Sequence, residues 1–268
     1  MKSKICVIGC GWLGFPLAKM LIKLGHEVHG TTTSEEKIAI LRDAGIHPFL
    51  IRFSAEGVVG DLKNCLLNCI TLIVNIPPGL RKAPESEYVQ KMMFFIEQIQ
   101  QSTVKRVLFI GSTSVYDDTK TCPIITETSA TSTSQTALQL LKVERLFMTN
   151  KNFETTVLRF GGLLAENRHP AKYLSGKTNI KNPEAPVNLI HREDCIAIIL
   201  KLLKHEIWNE TFNAVTTPHP TKKDYYTAAC KRMGLPLPDF DLTSINQGKC
   251  IDSSKLVQLL NYEFHVKL

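Results

Sequence analysis

The stretch Gly9-Cys10-Gly11-Trp12-Leu13-Gly14 decides the fold that we expect of this chain. A short apolar run, Lys4–Gly9, leads into it, and a helical pattern, Pro16–Leu24, follows almost at once. In a GxGxxG loop between a strand and a helix, the first glycine permits a tight turn, the second lets the backbone approach a pyrophosphate, and the third lets the helix pack on the strand. The helix N-terminus then faces the negative charge. The sequence therefore predicts a dinucleotide site formed by Gly9, Gly11, Trp12, Leu13 and Gly14.

Strand-like and helix-like segments alternate along the rest of the chain. Further strands are predicted at Glu27–Thr32, His47–Phe53, Thr71–Pro77, Arg106–Ser112 and Thr155–Phe160. Segments of helical length separate them, with Tyr88–Gln101 as one example. Six strands joined by crossovers predict an α/β fold, a Rossmann-type doubly wound parallel sheet.

The domain organisation follows from where this alternation stops. We expect residues 1–160 to form the dinucleotide-binding core. Residues 161–268 are predicted to be the substrate-binding portion, made of 161–187 and 207–268, while 188–206 return to the core. The Ser/Thr-rich Thr126–Thr136 and the Pro/Gly/Asn-rich Gly161–Val187 are interpreted as loops or lids. The proline-containing tail is expected to form a small C-terminal subdomain.

Composition limits the class of protein and of ligand. Of 268 residues, 44% are hydrophobic and 21% charged, which excludes a disordered chain. Lys and Arg exceed Asp and Glu by 7, and the excess is spread along the chain. That charge suits a small anionic substrate better than nucleic acid, which requires a clustered basic face. No segment approaches the roughly 20 apolar residues of a membrane span, so we expect no membrane partner.

The eight cysteines lack a CxxC pair and the spacing of a zinc site. We therefore predict no metal, and we interpret the cysteines as reduced thiols of a cytoplasmic protein. Cys65 and Cys69, four residues apart, are interpreted as helix residues packed in the core.

The predicted end of the second strand, Gly30-Thr31-Thr32-Thr33-Ser34, contains no carboxylate. An acidic residue there would bind the ribose 2′-hydroxyl of NAD and repel the 2′-phosphate of NADP. We therefore predict that Thr32, Thr33 and Ser34 line the ribose site and that the cofactor is NADP, with NAD left open. Lys37 and Arg52 are the candidate phosphate partners. Thr33 and Glu36 also match a capping box for the next helix.

A proline pair follows the fourth predicted strand, in Asn75-Ile76-Pro77-Pro78-Gly79. Proline has no backbone donor, so Pro77 and Pro78 are expected to contact the cofactor by shape.

The stretch Leu108-Phe109-Ile110-Gly111-Ser112-Thr113-Ser114-Val115-Tyr116 resembles the S-S-T-S-V-Y-G element of the extended short-chain dehydrogenase/reductases. These proteins form the NAD(P)-dependent epimerase/dehydratase group, which acts on nucleotide sugars. Other elements that match in order are Gly11-Trp12-Leu13-Gly14, Leu158-Arg159-Phe160, Val187-Asn188-Leu189-Ile190-His191-Arg192-Glu193-Asp194 and Asn209-Glu210-Thr211-Phe212-Asn213. The resemblance covers nearly the whole chain.

The resemblance implies a catalytic set of Ser or Thr, Tyr and Lys, in which the Lys cation lowers the pKa of the Tyr. Ser112 with its neighbour Thr113, and Lys142, match the first and last members. Leu138 stands where the Tyr of the Y-x-x-x-K motif belongs, which indicates an atypical branch. Tyr116 is the candidate substitute.

Each of these residues also has a structural interpretation. Ser112 and Thr113 could cap the backbone, Tyr116 could line a pocket wall, and Lys142 could be a solvated helix residue or bind the cofactor ribose. Arg159 and Phe160, at the end of a strand, are predicted to contact cofactor or substrate, with a buried ion pair as the alternative for Arg159. For His191 and Asp194 we expect a structural role at the start of a helix.

Two functions follow from these patterns. The first is an NAD(P)-dependent oxidoreductase or epimerase-like protein that acts on a nucleotide sugar or a similar anionic metabolite. The second is a catalytically silent NADP(H)-binding sensor or interaction protein. A homodimer is compatible with either.

Overall fold

A computed structural model describes residues 3–80 and 87–268 of the chain. In those residues the strands are β1 Lys4–Ile8, β2 Glu27–Thr32, β3 His47–Leu50, β4 Arg52–Ser54, β5 Gly57–Val59, β6 Thr71–Val74, β7 Arg106–Ser112, β8 Ile124–Ile125, β9 Glu154–Phe160, β10 Gly162–Leu164, β11 Leu189–His191, β12 Thr211–Ala214 and β13 Cys250–Ile251. The helices are α1 Gly14–Lys23, α2 Glu36–Asp43, α3 Leu62–Leu66, α4 Tyr88–Gln100, α5 Gln135–Met148, α6 Ala171–Leu174, α7 Arg192–Lys204, α8 Lys222–Arg232 and α9 Ser254–Leu260. A 3-10 turn covers Thr113–Val115.

The main sheet has the strand order β3-β2-β1-β6-β7-β9-β12. The pairs β1–β2, β2–β3, β1–β6 and β6–β7 are parallel. The strand order reverses between β1 and β6, which is where ligands bind in a doubly wound sheet. The predicted α/β fold, a Rossmann-type doubly wound parallel sheet, is confirmed. The strand β12 extends the six predicted strands to seven in the described chain.

The described chain forms two compact units. The first comprises Met1–Gly111, Thr133–Leu158 and Leu202–Thr211, and the second comprises Ser112–Ser132, Arg159–Lys201 and Phe212–Leu268. That residues 161–268 bind substrate stays a prediction.

In the first unit, strand β1 is almost wholly buried, as expected of a central parallel strand with helices on both faces. Two aromatic pairs fill the core of this unit, Phe53 with Phe95 at 4.8 Å and Phe109 with Phe147 at 4.9 Å between ring centroids. Phe95 and Phe147 are fully buried, and burial of such a side chain stabilises a fold by about 1.5–3 kcal/mol.

In the described chain, three two-stranded sheets are separate from the main sheet. The hairpin β4–β5 is antiparallel, while β10 pairs with β11 and β8 with β13 in parallel. The segment Gly161–Val187, expected to be a loop, contains β10 and α6. The pairing partner of β10, strand β11, begins 25 residues after β10 ends, and such a distant partner leaves no local pattern.

The capping box expected at Thr33 and Glu36 does not form. The helix begins further along the chain than the capping box requires. Lys37 N–H donates to the carbonyl oxygen of Ser34, and Ile38 N–H donates to that of Glu35. Glu35 therefore occupies the N-cap position of α2, and no side chain caps this helix.

All eight cysteines are free thiols. Among the residues that the structure describes, no helix is both long and apolar enough to cross a membrane.

Candidate functional site

The loop between β1 and α1 needs glycine at two positions because the chain folds closely on itself there. Gly9 has φ +99°, and a Cβ on it would lie 2.4 Å from the carbonyl oxygen of Asn75. A Cβ on Gly14 would lie 2.1 Å from the carbonyl oxygen of Gly9. These two glycines therefore serve the turn and the contact of helix with strand.

Gly11 differs from both, because a Cβ added there meets no protein atom within 4 Å. The fold itself does not require glycine at this position, and the backbone is open on this side. No side chain caps α1, whose first helical residue is Gly14. An open backbone face beside an uncapped helix N-terminus fits a bound pyrophosphate.

Two neighbouring strands hold this loop in place. Gly9 N–H donates to Thr31 Oγ1 at 2.8 Å, and Cys10 N–H donates to the carbonyl oxygen of Thr31 at 2.8 Å. On the other side, Asn75 Nδ2 donates to the carbonyl oxygen of Gly9 at 3.2 Å. Trp12 is half-buried and Leu13 is buried.

The predicted ribose site lies where β2 ends. Thr32 is buried, and its hydroxyl accepts the N–H of Ser34 at 3.2 Å. The guanidinium of Arg52 donates to the carbonyl oxygen of Thr33 through Nε at 3.3 Å and Nη2 at 3.2 Å. The structure thus brings the first residue of β4 to the end of β2, while Lys37 is exposed on α2. After β6, Pro77 is exposed and Pro78 half-buried.

In the second unit, Tyr116 and Arg159 belong to one buried hydrogen-bond network. Arg159 Nη1 donates to the Tyr116 hydroxyl at 2.5 Å, and that hydroxyl donates to Asn213 Oδ1 at 3.1 Å. Asn213 N–H donates to Glu127 Oε1 at 2.7 Å. Burial raises the pKa of Tyr116, and the Arg159 guanidinium opposes that rise. Only 2% of Tyr116 is exposed, and its hydroxyl already has two hydrogen-bond partners. Its catalytic role stays a prediction.

Lys249 fixes the backbone of the same segment. Its Nζ donates to the carbonyl oxygen of Tyr116 at 2.7 Å and pairs with Asp118 Oδ1 at 3.0 Å. This lysine is mostly buried, and its two contacts hold the backbone at Tyr116 in place.

The remaining catalytic candidates lie on β7, the 3-10 turn that follows it, and α5. Ser112 Oγ accepts the N–H of Ser114 at 3.2 Å and thereby caps the 3-10 turn, while Thr113 is buried. Leu138 and Lys142 are one turn apart on α5, and both are exposed. Phe160, at the end of β9, is buried. Of the predicted site residues in the second unit, Tyr116 and Arg159 are in direct contact, through the hydrogen bond between them.

Asp194 anchors the C-terminal tail. It is fully buried at the start of α7 and accepts the Tyr262 hydroxyl at 2.6 Å, His265 N–H at 2.8 Å and Val266 N–H at 3.2 Å. His191 Nδ1 accepts the N–H of Glu193 at 3.3 Å. These contacts agree with the structural role that we expect of both residues.

Sequence reasoning missed four residues that hold these sites, namely Thr31, Asn75, Asn213 and Lys249. The first two could have been found, because Thr31 is the second-to-last residue of β2 and Asn75 follows β6, and both strands lie next to β1 in the sheet. Asn213 ends the matching element Asn209–Asn213, but its contact with Tyr116, like that of Lys249, is tertiary and leaves no local signal. In the described residues, no group of three or more His, Cys, Asp or Glu side chains could hold a metal ion.

Comparison with known proteins agrees with the fold. The family model of the NAD binding domain of 6-phosphogluconate dehydrogenase matches residues 4–123. Protein YeeZ of Escherichia coli (strain K12) is 30% identical over 266 residues, which cover 98% of this chain and 96% of that protein.

Solved structures of low sequence identity share the fold. UDP-glucuronic acid 4-epimerase from Bacillus cereus, in complex with NAD, superposes with a TM-score of 0.79 at 18% identity, covering 99% of this chain and 92% of the other. MoeE5, in complex with UDP-glucuronic acid and NAD, superposes with a TM-score of 0.76 at 17% identity, covering 99% and 95%.

Proposed function

The chain belongs to the same family as Protein YeeZ of Escherichia coli, and we propose that it is an NAD(P)-dependent, epimerase-like oxidoreductase. The observation that carries this proposal is the open backbone face at Gly11, beside an α1 N-terminus without a side-chain cap. The match of residues 4–123 to an NAD binding domain supports the same ligand.

We further propose that NADP(H) is the preferred cofactor. Thr32, Thr33 and Ser34 offer no carboxylate to repel a 2′-phosphate. Arg52 adds a positive charge at this strand end, because its guanidinium donates to the carbonyl oxygen of Thr33. A guanidinium can bind two phosphate oxygens at once.

When bound, NADP(H) would supply or accept a hydride at its nicotinamide ring. The residues of this chain would then have separate tasks. The open backbone at Gly11 binds the pyrophosphate, in the turn that Gly9 and Gly14 make possible. Lys142 binds ribose hydroxyls from the exposed face of α5. Ser112 and Thr113 orient the substrate, and Tyr116 with Arg159 keeps their segment rigid.

We propose a nucleotide sugar, or a metabolite with similar anionic groups, as the substrate. The solved structures with this fold include an epimerase of UDP-glucuronic acid and a protein that holds UDP-glucuronic acid and NAD. The eight free thiols favour the reducing cytoplasm as the location.

The test is NADPH oxidation, followed by nicotinamide absorbance, with a panel of oxidised UDP-sugars. We expect one of them to be reduced and Lys142→Met to abolish the change. Lys151→Met is the matched control, because Lys151 is also exposed and lies outside the proposed site. A chain that binds NADPH but reduces none of the sugars contradicts the oxidoreductase function.

A further inference from the structure

Thr31, on β2, holds the start of the glycine loop through two of its groups. Its Oγ1 accepts the N–H of Gly9, and its carbonyl oxygen accepts the N–H of Cys10, both at 2.8 Å. The Thr31 side chain is buried, so its hydroxyl is shielded from solvent. The first two N–H groups of the loop are therefore already bonded within the protein.

Other contacts of the same two loop residues also lead to the strands on either side of β1. The Cys10 side chain packs onto β2, because a Cβ added to Gly30 would lie 2.6 Å from Cys10 Sγ. Asn75, the residue after β6, donates from Nδ2 to the carbonyl oxygen of Gly9 at 3.2 Å. Gly9 and Cys10 are thus fixed from both neighbours of β1 in the sheet, and their N–H groups cannot turn toward a ligand without losing these bonds.

Gly11 begins the part of the loop that is not bonded in this way. Within the described part of the chain, its N–H donates to no acceptor, and the backbone beside it is open. A backbone donor without a partner needs an acceptor from outside the chain, and an anionic group next to a helix N-terminus can be that acceptor. The loop therefore divides into residues 9–10, which β2 and β6 hold, and an open part that starts at Gly11.

We propose that Thr31 is a positioning residue of the dinucleotide site, and that the phosphates of NADP(H) bind the loop from Gly11 onward. The inference rests on the proposed function. Thr31 acts by keeping the loop in one conformation, because a site whose binding conformation is only partly populated loses apparent affinity in proportion. Its hydroxyl is the group responsible, since that group bonds to Gly9.

The first test follows the backbone amides of the wild-type chain by NMR hydrogen exchange, with and without NADPH. In the free chain we expect slow exchange at Gly9 and Cys10 and fast exchange at Gly11. Saturating NADPH should slow exchange at Gly11 and leave Gly9 and Cys10 unchanged. If bound NADPH adds protection at Gly9 or Cys10, or adds none at Gly11, the proposal is wrong. This test requires no substitution, so it does not depend on whether a variant folds.

The second test is the Kd for NADPH of Thr31→Val, measured below the Tm of every variant. Valine keeps the shape of threonine and the carbonyl that bonds to Cys10, but it leaves the Gly9 N–H without its acceptor. We expect the Kd to rise about tenfold. Thr31→Ser retains the hydroxyl and should bind NADPH as the wild type does.

Thr155→Val is the matched control. Thr155 is a buried threonine of β9, and its Oγ1 donates to the carbonyl oxygen of Phe147 at 3.0 Å. Two strands, β6 and β7, separate β9 from β1. The control therefore loses a comparable buried hydrogen bond away from the loop, and we expect a lower Tm with the Kd of the wild type.

The variants distinguish a positioning role from a structural one. If Thr31→Val lowers only the Tm, as Thr155→Val should, Thr31 merely stabilises the fold and the proposal is wrong. The proposal is also wrong if Thr31→Ser binds NADPH as weakly as Thr31→Val, because the hydroxyl is then not the group that matters. A wild-type chain that binds neither NADPH nor NADH contradicts the proposed function instead.

Discussion

Arg52 is the residue that we expect to separate the two nicotinamide cofactors. A hydrogen bond to a charged group contributes about 1.5–3 kcal/mol, so Arg52→Gln should raise the Kd for NADPH by about tenfold or more. The Kd for NADH should stay unchanged, because NADH lacks the 2′-phosphate. Nicotinamide fluorescence titrations measure both constants.

Arg42→Gln is the control for this prediction, since Arg42 is an exposed arginine in the last turn of α2. Equal weakening of NADPH and NADH by Arg52→Gln would mean that the guanidinium supports the loop without contacting a phosphate.

The Tyr116 hydroxyl provides a second test, this time of stability. Tyr116→Phe removes the acceptor for Arg159 Nη1 and the donor to Asn213 Oδ1. A buried polar group left without its partner costs about 1–3 kcal/mol, and we expect a loss of that size in urea unfolding. Tyr173→Phe should change nothing, because Tyr173 is 69% exposed. If Tyr116→Phe is as stable as the wild type, this network does not stabilise the second unit.

The elements of the Rossmann core were largely predictable from the sequence. The strand expected at Arg106–Ser112 has those bounds, and the one expected at Thr155–Phe160 begins one residue earlier. Buried parallel strands give continuous apolar runs, and these are visible without a partner. The pairs β10–β11 and β8–β13 were missed because each joins short segments far apart in the chain.

The tail after α9 is an element whose position depends on one side chain. Asp194→Ala removes the acceptor of three hydrogen bonds from residues 262–266. Because each bond to a charged group contributes about 1.5–3 kcal/mol, we expect unfolding free energy to fall by at least that amount. Limited proteolysis should then cut near the C-terminus before the rest of the chain.

Glu193→Ala is the control for this prediction, because Glu193 lies next to Asp194 in the same turn of α7 but is exposed. It tests whether any substitution in this turn has the same effect. If the tail of Asp194→Ala resists protease as well as the wild-type tail does, contacts other than those of Asp194 hold it.

Across the molecule, the sequence predicted the kind of site better than its supporting contacts. The glycine loop was visible because its spacing and its place between strand and helix are local. Arg52 reaches Thr33 across 19 residues, and Thr31 reaches Gly9 across 22. Such contacts depend on strand order, which sequence patterns define only in outline. The sequence alone left open which interpretation of Tyr116 holds, because its partner Asn213 is 97 residues away.

The most direct measurement is a titration of the full chain with NADPH and with NADH, for the wild type and for Gly11→Leu. A Cβ at position 11 meets no protein atom within 4 Å, so the variant should keep the Tm of the free protein. We expect saturable NADPH binding that raises the Tm of the wild type, and a Kd at least about tenfold higher in the variant, which is about 1.4 kcal/mol. If neither nucleotide binds the wild type, or if Gly11→Leu binds as tightly, the glycine loop is not a dinucleotide site.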